Sequence, residues 1–167
     1  MSDASAIPTP PQTRGGVVAY LQVDGAVRAA AFYVRAFGAE IVASMPPDAQ
    51  GRTPHVHLHL NGSSLMLADP YPEYGQPLRP AQGFSLMLPV DDIHAWWERA
   101  LAAGAESEMP VAEMFWGDLY GQLRDPFGVV WALDQPKGGA AAPPPCGRGM
   151  SGPAPAAAGS AIRAPTV

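Results

Sequence analysis

Two stretches of this chain repeat apolar residues at helical spacing, and shorter apolar stretches with strand character flank each. In the first, Val27, Ala30, Ala31, Val34 and Phe37 form a stripe that predicts a helix over Ala26–Phe37, stopped by Gly38. In the second, Ile93, Trp96, Trp97, Ala100 and Leu101 form the stripe. Asp91 or Asp92 is the cap and Gly104 the stop. Strands are predicted at Val17–Val23, Glu40–Met45, His55–Leu60 and Ser64–Ala68 around the first helix. Around the second they are predicted at Phe84–Val90, Glu106–Val111, Tyr120–Arg124 and Val129–Asp134. Asn61-Gly62 marks a tight hairpin and Asp125–Gly128 a turn.

The two halves are copies of one unit. Val-Asp, a helical stretch and Gly-Ala-Glu occur in order at Val23–Glu40 and again at Val90–Glu106. The order of elements is βαβββ, twice. The expected fold is therefore α+β, built of two tandem βαβββ modules at about 16–70 and 83–135. Residues 1–15, rich in Pro, Ser and Thr, read as a flexible arm. Residues 136–167 are an Ala/Pro/Gly-rich tail too poor in buried area to offset the entropy of ordering, and read as disordered.

Charge narrows the partners. The chain of 167 residues carries a net −5. Removing Asp3 and Arg14 at one end and Lys137, Arg148 and Arg163 at the other leaves 14 acids and 6 bases over 15–136, a net −8. Such a surface repels phosphate, so neither nucleic acid nor an anionic membrane is an expected partner. One cysteine, Cys146, allows no internal disulfide and no Cys-based metal site. With no signal peptide pattern at Met1–Arg14, the cytoplasm is the expected compartment.

The residues Phe32, Tyr33, Phe37, Gly38 and Ala39, the run Phe115–Gly121 (FWGDLYG) and Asp125–Trp131 (DPFGVVW), set in a βαβββ repeat, resemble the vicinal oxygen chelate superfamily. That superfamily includes glyoxalase I, bleomycin-resistance proteins and extradiol dioxygenases, and the PhnB-like branch is the nearest in pattern. The resemblance spans Val17 to Asp134. It implies two half-cups making a cupped mixed sheet with helices on the outer face, a small-molecule cavity between the cups, and a homodimer. It also implies metal ligands on the first and last strands of each module. By spacing, those positions fall near Val18, Ser64–Met66, Ser85 and Ala132, which offer poor donors for a divalent ion. The expectation is a binder without that metal.

Strand parity nominates the cavity lining: Tyr20 and Gln22, Met66, Ser85 and Met87, with Phe115, Trp116 and Tyr120 from the later loop. His55, His57 and His59 alternate with Val56, Leu58 and Leu60, so three imidazoles share one strand face. They read as polar lining. PhnB-like relatives carry Glu where His57 stands, so a titratable ring replaces a fixed charge. The expected function is binding of a bulky aromatic or natural-product molecule, as in antibiotic-sequestering members, with no cofactor. The alternative is a lyase, isomerase or dioxygenase of the same superfamily, either metal-free or using a divalent metal on the His55/His57/His59 face.

Overall fold

The structure, a computed structural model, describes residues 11–138. Most of the arm and nearly all of the tail anticipated above lie outside those residues. Two four-stranded mixed sheets are observed. The first module runs β1 (Ala19–Gln22), α1 (Ala26–Phe37), β2 (Glu40–Ser44), β3 (Val56–Leu60) and β4 (Ser63–Ala68). The second runs β5 (Leu86–Pro89), α2 (Ile93–Ala103), β6 (Glu106–Glu113), β7 (Leu119–Arg124) and β8 (Val130–Gln135). The sheet orders are β1-β4-β3-β2 and β5-β8-β7-β6, with the first strand of each module parallel to its last. Asn61 and Gly62 both take positive φ in the β3–β4 hairpin, as that pair requires for a tight turn matching strand twist.

Each helix is capped by its own module's last strand. Asp69, just past β4, accepts from the Gly25 and Ala26 amides at 2.7 and 3.1 Å, and Thr53 N–H donates to its other oxygen. In the second module Gln135, the last residue of β8, accepts from Ile93 N–H at 2.8 Å, and Asp92 supplies the local cap to Ala95 N–H. These bonds satisfy amides that the first turn of a helix leaves free. They also fix where each sheet ends under its helix.

The buried face of α1 differs from the expected stripe. Ala26, Ala29, Ala30, Phe32, Tyr33, Ala36 and Phe37 are buried, while Val27 and Val34 are exposed. At 100° per residue the true face is turned by roughly 110° from the expected one. The three aromatic rings decide the matter, because they remove far more area from water than two valines. Trp131 of β8 packs against Phe37 and Tyr33, with ring centroids 4.8 and 5.1 Å apart. Trp96 stacks on Phe37 and Arg99 lies over Trp96 while donating to the Ala36 carbonyl. The core thus runs through both modules on their helix side.

Candidate functional site: the open face of the two sheets

Alternation sets the site. On β3, Val56, Leu58 and Leu60 enter the helix-side core, so His55, His57 and His59 point to the opposite face. Register brings further residues to them: His57 opposes Met66, His59 opposes Ser64, and Tyr20 lies beside Met66. In the second module Tyr120, Gln122, Ala132, Asp134 and Met87 share the corresponding face, with Ser85 just ahead of β5. Trp116 packs edge-on to Tyr120, and Phe115 edge-on to Trp116. Phe115 itself is almost wholly exposed.

The three imidazoles are held differently. Tyr20 Oη donates to the Pro54 carbonyl at 3.0 Å and meets His55 Nδ1 at 3.0 Å. Its one proton is then used, so His55 Nδ1 is the donor and Nε2 the bare acceptor. His57 Nε2 lies 2.8 Å from Ser64 Oγ, and Ser64 Oγ also accepts from Arg14 N–H. His59 Nε2 donates to the Gln12 carbonyl at 3.0 Å, leaving a buried Nδ1 with no partner. His57 and His59 are only 3% and 9% exposed. Burial, then the neighbouring His59 and His55, hold the His57 pKa below its ordinary value. Residues 12–14 of the arm therefore lie hydrogen-bonded on this face.

Two clefts open at the rim of the first module. One, about 380 Å³, is lined by Tyr20, Gln22, Pro54, Ala68, Tyr71 and Gln76. The other, about 190 Å³, is lined by Tyr20 and Gln22 with Arg79, Pro80, Ala81 and Phe84, among others. Tyr71, Gln76, Arg79 and Phe84 belong to the connection between modules, and sequence patterning alone passed them over. The tyrosines of Tyr71–Tyr74 were the visible hint. A larger cleft, about 700 Å³, adjoins the first through Pro54, Tyr71 and Gln76. In it Arg52 lies over the Tyr71 ring and is paired with both Asp48 and Glu73.

Asp118 and Arg124, from the later loop and the end of β7, do not pair with each other. Arg124 pairs with Glu108, and Asp118 accepts from Lys137 N–H. The reason is register: Glu106 opposes Arg124, which brings the neighbouring Glu108 within reach.

A model of the glyoxalase/bleomycin resistance protein/dioxygenase superfamily matches residues 16–133. The chain belongs to that superfamily. An uncharacterized protein of Mycobacterium tuberculosis is 39% identical over 124 residues, covering 70% of this chain and 72% of that one. Among solved structures, protein PA1353 from Pseudomonas aeruginosa superposes with a TM-score of 0.60 at 30% identity, over 71% of this chain and 96% of its own. A PhnB protein from Bacillus cereus gives 0.56 at 25% identity, over 73% and 100%.

Membership poses the question of a metal. By spacing, the family's metal positions fall near Val18, Ser64–Met66, Ser85 and Ala132, and Ala132 is fully buried. Hydrocarbon, hydroxyl and thioether groups do not fit a hard or borderline divalent ion. Among the described residues, no group of three or more His, Cys, Asp or Glu is arranged to hold one. Among the same residues, no helix is long and apolar enough to cross a membrane.

Proposed function

We propose that this superfamily member binds rather than transforms its ligand, and does so without the family's metal. It takes a bulky aromatic or natural-product molecule of antibiotic type against the open sheet face, as a cytoplasmic homodimer. One observation carries this reading. Tyr20, Met87 and Trp116 stay 54%, 56% and 49% exposed on a face where Gln22, Gln122 and His55 supply polar handles. Soft and aromatic surface with few polar groups suits a flat, bulky ligand.

The test is titration of bleomycin and a set of polycyclic natural products, read by tryptophan fluorescence. Saturable quenching that Trp116→Ala abolishes is the expected result. A flat response across the whole set overturns the reading.

The unpartnered Nδ1 of His59 favours a second reading, a lyase, isomerase or dioxygenase using the histidine face. Metal analysis of protein purified without an affinity tag separates the two. A stoichiometric divalent ion, lost in His57→Ala, would replace the binding reading with this one.

A further inference from the structure

The two half-cups are not chemically alike, and the difference lies at one pair of matching positions. Val23 N–H bonds to the Ala68 carbonyl where the first module's sheet meets its helix, and Val90 N–H bonds to the Asp134 carbonyl at the same place in the second. The fold is thus served equally well by alanine and by aspartate there. Asp134 faces the cup, because it directly opposes Tyr120 across β7–β8 and pairs with Pro89 of β5 on its other side. Its carboxylate is half-buried and has no ion pair or hydrogen bond among the described residues. Burial, then the nearby Asp118, push its pKa above the ordinary carboxylate value. A partly desolvated carboxylate with no counter-charge weakens the fold. An alanine would avoid that cost, as the first module shows.

Aromatic rings stand beside it. Tyr120 is its cross-strand neighbour, a pair whose Cβ atoms sit roughly 5 Å apart. The Trp116 ring centroid is 5.9 Å from that of Tyr120 and nearly perpendicular to it, forming a corner. Tyr120 Oη accepts from Gln122 Nε2 at 2.8 Å, which ties the hydroxyl along its own strand. Among the described residues, four basic side chains are engaged elsewhere. Arg124 is held by Glu108, Lys137 by Glu113 and Arg52 by Asp48 and Glu73. Arg79 lines the rim cleft with Tyr20 and Phe84, a lining that includes none of Asp134, Trp116 and Tyr120.

The geometry points to an organic-cation subsite in the second half-cup, where Asp134 supplies the counter-charge and Trp116 and Tyr120 supply ring faces to a protonated amine or quaternary ammonium group of the ligand. This rests on the binding reading above and names the ligand's chemical class. Ring faces attract cations through their quadrupole, and a carboxylate at the corner adds a charge partner. The folded segment's net −8 draws such ligands toward the protein. The first half-cup complements this, since His55 Nε2 is left as an acceptor for a ligand N–H group.

The test uses the full chain and three flat probes of similar size: 10-methylacridinium, the neutral N-methylacridone and the anionic anthracene-9-carboxylate. Calorimetric titration should show the cation binding about tenfold more tightly than the neutral probe, and the anion more weakly than either. Asp134→Asn should remove that preference by weakening the cation far more than the neutral probe, and Asp134→Glu should restore part of it. Raising salt from about 50 to about 500 mM on the unaltered protein should weaken the cationic probe, leave the neutral one unchanged and not weaken the anionic one, which tests the charge partner without any substitution. Equal binding of cationic and neutral probes, insensitive to Asp134→Asn and to salt, overturns the cation subsite and leaves the binding reading standing. No saturable binding of any probe overturns the subsite, and joined to a flat response in the natural-product titration it removes both.

Discussion

The Tyr33 hydroxyl donates to the Asp125 carboxylate at 2.7 Å, from the helix of the first module to the β7–β8 turn of the second. The same oxygen of Asp125 accepts from Trp131 Nε1 at 2.9 Å, and its other oxygen accepts from Phe127 and Val129 N–H. Four donors saturate one buried carboxylate, so the turn, the last strand and the inter-module contact share a single acceptor. Removing the phenol leaves that carboxylate one donor short in the core. Tyr33→Phe should therefore lower stability by about 1–3 kcal/mol. Asp125→Asn should lower it more, because an amide NH₂ would face either two backbone donors or the two side-chain donors. Urea unfolding of the three proteins checks the order. A Tyr33→Phe protein as stable as the original would mean the bond does not tie the modules together.

The helix caps from the sheet ends make a second expectation. Asp69 accepts three amides, two of α1 and one from Thr53. Gln135 accepts only Ile93 N–H, and α2 keeps its local cap from Asp92. Asp69→Ala should thus cost at least about 2 kcal/mol and Gln135→Ala about 1 kcal/mol or less. Thermal unfolding of both variants gives the comparison, and a larger loss at Gln135 would contradict it.

Much of this architecture could be read locally. The helix stops followed from Gly38 and Gly104, the start of α2 from its aspartate cap, and the histidine face from strict alternation on one strand. Long-range facts could not be read that way. Tyr33 and Asp125 lie 92 positions apart, and nothing near either signals the other. The stripe on α1 was misplaced because valines and alanines recur at helical spacing on more than one face. Which face is buried depended on Trp131, in the other module. The rim clefts escaped notice because their walls come from an irregular connection whose path only packing determines. Asp134 was visible as a residue, but its lack of a cation partner among the described residues emerged only with the register of three strands.

Gly121 provides a steric expectation. It is buried on β7, and a Cβ there would meet a Trp97 ring carbon at 2.8 Å, Val111 at 3.0 Å and the Met109 carbonyl at 3.2 Å. Trp97 is itself buried and has little room to retreat. Gly121→Ala should lower stability by about 1–3 kcal/mol through overpacking. A smaller ring partner should relieve it, so Gly121→Ala combined with Trp97→Leu should lose less than the sum of the single changes. Strict additivity in denaturant unfolding would show that the crowding lies elsewhere.

His57 makes stability depend on pH in a definite direction. Free in the unfolded chain, its imidazole titrates near 6.5. In the fold, burial first and then His59 and His55 hold it lower. Between the two values the unfolded chain binds a proton that the native state does not. Its contribution to stability is therefore complete above the ordinary value and falls as pH drops through that window. Below the folded value its slope vanishes. His57→Gln keeps a partner for Ser64 and has no titrating proton. Urea midpoints at about pH 7.5 and about pH 5 should then differ less in the variant than in the original protein. Identical shifts in the two proteins would assign the acid sensitivity to other groups, and would leave His57 as a neutral ring whose burial carries no titration.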